Sequence, residues 1–166
     1  DKAHAKLAGR PLILQVTDAL QTHFSEIILV DDRPDKYADL NLPTITDRVS
    51  GAGPLAGLAA ALNDLVHRKK QWLFLIACDS VGFDPDWLHQ LTPFSLSPNQ
   101  VVAFRHRHWE PTFAFYQVFL HQVVQQYLRK SDRSLWRFVK QQRIIAVEPP
   151  ADFSRLQNIN TVQQLK

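Results

Sequence analysis

The chain has 166 residues, 45% of them apolar, enough for one sizeable core and within the usual span of a single domain. Its 19 basic and 16 acidic side chains leave a net charge of +3 spread along the sequence, without the Lys/Arg block of a nucleic-acid or membrane-surface binder, and a small anionic substrate fits this balance better. One cysteine excludes an intrachain disulfide framework, and no apolar run reaches the roughly 20 residues of a membrane span, so a reducing, cytoplasmic setting is expected.

The chain opens at Asp1 without a methionine, and residues upstream of it are expected. Pro11 suits a first helical turn, and Leu12, Val16 and Leu20 recur at helical spacing, so residues 11 to 23 read as an amphipathic helix. Glu26-Ile-Ile-Leu-Val30 is too short for a helix and suits a buried strand that ends at Asp31-Asp32. After a turn-rich stretch, a brief strand Thr44-Ile-Thr46 leads to Asp47. Gly51 and Gly53 then mark a loop ahead of a second helix, from Pro54 to about His67, with a wide apolar stripe and the cations Arg68-Lys69-Lys70 at its carboxyl end.

Trp72-Leu-Phe-Leu-Ile-Ala77 is continuously apolar and reads as the most buried, central strand of a parallel sheet, ending at Cys78-Asp79. Asp84 is an N-cap candidate for a short helix with Pro85 at its first position. Strands over 100–104 and 112–116 flank the polar segment Arg105-His-Arg-His-Trp-Glu-Pro111, which reads as a loop or sheet rim. Helices follow around Phe119 to Leu128 and Leu135 to Val139, then a strand Ile144-Ile-Ala-Val147 and a terminal helix opened by Asn160. This alternation predicts an α/β fold of three layers, a mostly parallel sheet with helices on both faces.

In open sheets of this kind ligands collect beyond the carboxyl ends of the strands. Aspartates stand there: Asp31 and Asp32, Asp47, and Asp79. A carboxylate so placed can bind magnesium, which prefers hard oxygen ligands and bridges to substrate phosphates. Asp79 is the first choice, whereas Asp31 and Asp32 beside Arg33-Pro34 look like turn residues. Gly51-Ala-Gly53-Pro-Leu-Ala-Gly57 runs into a helix whose first amides could receive an anion, or it is simply a flexible connection. It fails the dinucleotide fingerprint, because the interval between its second and third glycines is one residue too long, and no P-loop motif exists.

Arg105, His106, Arg107 and His108 could clamp a phosphorylated substrate or form a solvated loop. Their spacing is a weak signal for zinc. Cys78, without a spacing partner, reads as a buried thiol. Asn160 fits a capping arrangement with Gln163, which leaves Asn158 without a local explanation.

Several segments taken together carry a family likeness: Asp1-Lys2, Leu7-Ala-Gly-Arg-Pro-Leu12, Gly53-Pro-Leu-Ala-Gly57, Cys78-Asp79, Pro111-Thr-Phe-Ala114 and Asn158-Ile-Asn-Thr161. Each is modest alone, and their order and spacing make the set specific. The pattern resembles the molybdenum cofactor guanylyltransferases, also called molybdopterin-guanine dinucleotide biosynthesis protein A, within the nucleotide-diphospho-sugar transferase-like, Rossmann-like α/β fold. The resemblance implies a magnesium-dependent transfer of GMP from GTP to the terminal phosphate of molybdopterin or its molybdenum-loaded form, with release of pyrophosphate. It implies that Asp79 holds magnesium, that Lys2 neutralises phosphate charge, and that Asp47, Gly53 and Pro54 lie near the nucleotide. Asn158 and Asn160 match an Asn-x-Asn element beside the reaction centre, and Arg105 and Arg107 would face the pterin phosphate.

Partner proteins of cofactor biosynthesis are implied too, but no nucleic acid and no membrane. The sequence also departs from the family pattern. The Gly-rich phosphate loop that should end in Asp-Lys is represented only by Asp1-Lys2, so residues 1–166 read as one nucleotidyltransferase domain lacking its N-terminal strand and loop. Ser80-Val81-Gly82 stand where a proline is usual, and Glu110 stands where a histidine is usual. Rival readings are a relative that transfers CMP or another nucleotide to a different phosphate, an inactive nucleotide-binding homologue, and, against the failed fingerprint, a Rossmann oxidoreductase.

Overall fold

The computed structural model describes residues 3–33, 35–47, 49, 51, 53–95, 100–130 and 132–159. A small hairpin of β1 (Lys6–Leu7) and β2 (Arg10–Pro11) turns through Ala8 and Gly9, both at positive φ, and feeds helix α1 (Leu12–Leu20). Leu12, Ile13, Val16, Thr17 and Leu20 form the buried stripe of α1, as the spacing requires. The first sheet strand, β3 (Leu29–Asp31), starts later than expected because its parallel partner β4 (Thr44–Thr46) is short and pairing begins at Leu29↔Thr44. Helix α2 (Gly53–His67) follows, ending before Arg68 with Lys69 in the left-handed region.

The strand β5 (Trp72–Ile76) leads through a tight turn to β6 (Ser80–Val81). The Asp84 side chain then accepts from the Asp86 amide at 3.0 Å ahead of α3 (Leu88–Ser95), so the expected cap forms. Strands β7 (Val101–Arg105) and β8 (Trp109–Gln117) make a hairpin. It is longer than expected because Arg105 pairs with Trp109 beyond a register shift, leaving only residues 106–108 as loop. Helices α4 (Leu120–Leu128) and α5 (Leu135–Val139), strand β9 (Ile144–Val147) and strand β10 (Gln157–Asn158) complete the described chain. The terminal helix expected from Asn160 lies outside the described residues.

The main sheet has the order β5-β8-β7-β9 and is mixed: β8 runs antiparallel to both β5 and β7, while β7 and β9 are parallel. Strands β3 and β4 form a separate parallel pair, and β10 pairs antiparallel with β6. The expectation that Trp72–Ala77 is the most buried, central parallel strand is corrected here. Strand β5 pairs antiparallel with β8, and every one of its side chains is partly exposed, whereas Val101–Phe104 and Phe113–Tyr116 are buried throughout. An apolar run reports that both faces meet apolar matter, not which neighbours flank it; one edge of β5 borders a cleft.

The two faces of the sheet carry different cores. Val101, Ala103, Ala114 and Tyr116 pack with Leu55, Leu58 and Leu62 of α2 and with α4 and α5. Their strand neighbours Val102, Phe104, Phe113 and Phe115 point the other way, onto α1, α3, Phe83 and Trp87. Helices therefore cover both faces, as the α/β layering predicts. Among the described residues no helix is long and apolar enough to cross a membrane.

Candidate functional site

The carboxyl ends of β3, β4 and β5 open on one cleft of about 690 Å³, whose walls include Asp31, Asp47, Gly53, Pro54 and Cys78. The β3–β4 ladder puts the first two there: the Asp47 amide donates to the Asp31 carbonyl at 2.9 Å. The Asp31 carboxylate accepts from the Arg33 amide at 3.2 Å, the turn expected of it, and also from Lys36 Nζ at 2.7 Å. Burial alone would raise the Asp31 pKa, but hydrogen bonds from Lys36 and its neighbours outweigh it and hold the carboxyl below its ordinary range. Lys36 is raised by the same bond. Asp47 is shifted the other way: burial pushes it up, the Val49 amide opposes, and the charges of Asp32 and Asp31 add to the rise.

Asp79 sits in the turn between β5 and β6. Ser80 donates its amide to the Ala77 carbonyl at 3.1 Å, and the Asp79 carbonyl accepts from the Ile159 amide at 3.0 Å. Ile159 is buried with Leu12 and Val81, so the turn is tied to a small apolar anchor. Pairing of β6 with β10 sets Ser80 opposite Asn158, and the buried Ser80 hydroxyl donates to Asn158 Oδ1 at 2.7 Å. The structure thus brings Asp79 and Asn158 together and supplies the explanation Asn158 lacked. Gly82, at φ +75°, lets the two segments approach: a Cβ there would lie 2.3 Å from the Arg155 carbonyl oxygen. Cys78 packs beside Leu29, Ile13 and Tyr37, and burial together with the Asp79 charge raises its thiol, which fits a packing role.

Gly53 begins α2 at φ +55°, the helix has no acidic residue of its own in its first turn, and Gly53 and Pro54 line the cleft that Asp31 and Asp47 also line. On the other side of Asn158, a groove of about 270 Å³ is lined by Arg107, His106, His108, Glu110, Ser154 and Asn158. Arg105 is not among these residues; its guanidinium lies 5.1 Å from the centroid of the Trp109 ring. Glu110 is raised by burial, with His108 opposing.

Lys2 and Asn160 lie outside the described residues. Sequence reasoning missed Ser80 as the residue that holds Asn158, and Lys36 as the partner of Asp31. A serine next to a strand-end aspartate carries no signal of a contact so distant in sequence. Among the described residues no group of three or more His, Cys, Asp or Glu side chains could hold a metal ion by itself.

A rim of strand-end carboxylates beside an open helix N-terminus is suited to phosphate chemistry, and comparison with known proteins settles the family. The MobA-like NTP transferase domain matches residues 1–146. The chain belongs to this family of nucleotidyltransferases. Among curated relatives, the molybdenum cofactor guanylyltransferase of Pasteurella multocida is 27% identical over 170 residues, covering 100% of this chain and 88% of the relative. That of Syntrophotalea carbinolica is 27% identical over 142 residues, 84% of this chain and 66% of the relative. Of solved structures, molybdopterin-guanine dinucleotide biosynthesis protein A from Archaeoglobus fulgidus superposes with a TM-score of 0.79 at 20% identity, over 99% of this chain and 86% of that one. A 4-diphosphocytidyl-2C-methyl-D-erythritol synthase from Anaerococcus prevotii gives 0.70 at 11% identity, over 98% and 89%. The expected nucleotide-diphospho-sugar transferase-like fold is therefore the fold of this MobA-like chain.

Proposed function

We propose that this chain transfers GMP from GTP to the terminal phosphate of molybdopterin or its molybdenum-loaded form, releasing pyrophosphate. The observation that carries the reading is likeness along the whole chain to relatives named for that reaction, including one that covers 100% of it. In the reaction an oxygen of the acceptor phosphate attacks the α-phosphorus of GTP, and the bond from that phosphorus to the oxygen bridging to the β-phosphate breaks. A phosphate monoester with second pKa near ~6 is largely dianionic at neutral pH, so no strong general base is required. Catalysis then rests on positioning and on neutralising charge.

The helix N-terminus at Gly53-Pro54 is suited to receive nucleotide phosphates, with Asp47 beside it and Lys2 as a second source of neutralising charge. Asp79 supplies a single carboxylate, which fits magnesium because that ion commonly takes one or two carboxylates and draws its other ligands from water and substrate phosphates. When bound, the ion supplies neutralisation of the triphosphate charge. Asn158, with Asn160, would orient the reacting phosphates beside Asp79, and Arg107 would meet the acceptor phosphate in the adjoining groove. A cytoplasmic site of action and partner proteins of cofactor biosynthesis belong to the same reading.

The test is reconstitution with molybdopterin, magnesium and each nucleoside triphosphate, following pyrophosphate release. GTP is expected to support turnover far above the others. Preference for CTP would overturn the guanylyl assignment, and no turnover with any triphosphate would favour an inactive homologue.

A further inference from the structure

The groove of about 270 Å³ beyond Asn158 has a single acidic residue among those that line it, Glu110, set among His106, Arg107 and His108. The chain is fastened on either side of it. Trp109 packs against the core that α2 covers, and the Pro111 carbonyl accepts from the hydroxyl of the buried Tyr116 at 2.6 Å, so the backbone of Glu110 is held between two anchored residues.

The Glu110 carboxylate has no protein donor to match this placement. Burial pushes its pKa up, the charge of His108 opposes, and among the described residues no hydrogen bond or ion pair reaches it. Its oxygens are nevertheless open to the groove, since no sealed side-chain oxygen or nitrogen among the described residues lacks a partner. A half-buried carboxylate left in this state is placed to accept from a ligand.

The other residues of the groove say which ligand. Phe153, whose ring centroid lies 5.1 Å from that of Phe104 and 5.4 Å from that of Trp87, and its neighbour Leu156 give an apolar side suited to a flat ring. Arg107 supplies the charge for a phosphate, and the two oxygens of Glu110 call for a pair of adjacent N–H donors. A flat heterocycle that carries a phosphate, and an amino group next to a ring N–H, satisfies all three.

We infer that Glu110 selects the acceptor by its 2-amino-4-oxo ring, its carboxylate oxygens accepting from the exocyclic amino group and from the adjacent ring N–H while Arg107 meets the phosphate. The assignment rests on the proposed transfer to molybdopterin. Guanine offers the same pair of donors, but Gly53 and Pro54, the residues suited to GTP phosphates, line the cleft and not this groove, so the ring assigned to Glu110 is the pterin. A ring with a carbonyl in place of the amino group would set an acceptor against the carboxylate and be rejected.

The experiment titrates the chain by calorimetry, without GTP or magnesium, with 6-hydroxymethylpterin phosphate, with the corresponding lumazine phosphate, in which a carbonyl replaces the amino group, and with GMP. The parent is expected to bind the pterin at least ~10-fold more tightly than the lumazine. In Glu110→Gln that ratio should fall to about threefold or less, with Tm equal to or above the parent's because a half-buried charge without a protein donor has been removed. Arg107→Ala should weaken both ligands alike and keep the ratio. Absence of pterin binding, equal affinity of the parent for the two rings, an unchanged ratio in Glu110→Gln, or binding of GMP that depends on Glu110 more than binding of the pterin does would each overturn the inference. Because GTP is left out, a chain inactive in pyrophosphate release can still show the pterin preference, and an active guanylyltransferase with equal affinity for the two rings refutes the role of Glu110 alone.

Discussion

Ser80 and Asn158, 78 positions apart, are joined by a hydrogen bond of 2.7 Å beside the turn that carries Asp79. Ser80 is 1% exposed, so its hydroxyl has little access to water, and Asn158 is the partner it finds. The bond ties the last described strand to the strand-end turn.

Substituting Ser80→Ala should therefore cost about 1 kcal/mol of stability, the typical net worth of one such bond. Its larger effect is expected on turnover, falling about tenfold as Asn158 loses its fixed orientation. Denaturant unfolding and pyrophosphate release on the same preparation separate the two effects. Equal turnover in the variant would remove Asn158 from the positioning role.

Asp79→Asn keeps the shape of the side chain and leaves the carbonyl that receives the Ile159 amide in place. The fold should persist, with Tm within a few degrees of the parent, while turnover drops by ~10² or more through loss of the carboxylate charge proposed to hold magnesium. Retained magnesium-dependent turnover would take Asp79 out of its role.

The glycines separate strain from crowding. Gly82→Ala adds a Cβ 2.3 Å from the Arg155 carbonyl at a backbone φ of +75°, whereas Gly9→Ala, at φ +79°, meets nothing within 4 Å. Gly9→Ala should cost about 1 kcal/mol, the conformational part alone. Gly82→Ala should cost at least twice that, of order 2–4 kcal/mol, because backbone must move. Comparable losses in the two variants would mean that β6 and Arg155 do not approach as described.

The Asp31–Lys36 pair predicts a pH dependence on both limbs. Asp31 is held below 3.8, its ordinary value and that of the unfolded chain, so its contribution to stability is complete above 3.8 and is lost as pH falls through the lower folded pKa. Lys36 is raised above 10.5, so its contribution is complete below that pH and lost as pH rises through the higher folded pKa. Lys36→Met should cost about 1 kcal/mol near neutrality. The gap between parent and variant should close at the acid and alkaline ends. Urea unfolding across the pH range measures it, and a pH-independent gap would show that the lost packing, not the charge pair, matters.

In the basic hairpin, Arg107 lines the groove shared with Asn158 while Arg105 lies against Trp109. Arg107→Ala should raise the KM for the phosphorylated acceptor about tenfold and leave that for GTP unchanged. Arg105→Ala should do much less. Steady-state kinetics with each substrate varied in turn distinguish them, and reversal of the order would exchange their roles.

The layered fold was legible because Val101–Phe104 and Phe113–Tyr116 are apolar on both faces and the stripes of α1 and α2 have helical spacing. The antiparallel pairing of β5 with β8 was not, since an apolar strand such as Trp72–Ile76 carries no mark of its neighbour's direction. Asp31 and Asp47, which line the cleft, and Asp79, in the turn after β5, were legible as strand-end residues because strand ends are where polar residues interrupt apolar runs. The pairing of Ser80 with Asn158 was not, because it depends on β6 meeting β10, two-residue strands with no pattern of their own. That Arg107 and not Arg105 lines the groove was likewise not legible, since Arg105 pairs with Trp109 beyond a register shift of the hairpin.

That hairpin is aligned by residues of the sheet interior. Ala103 and Ala114 stand opposite each other on one face of the sheet, and Phe104 and Phe113 fall on the other. A slip of one position would drive rings into the space beneath α2 and leave methyl groups where the aromatic layer should be. Size alternation between alanine and phenylalanine thus works as a key that admits a single alignment of the two strands. The direction in which Arg107 points is encoded several residues away, in the dry interior.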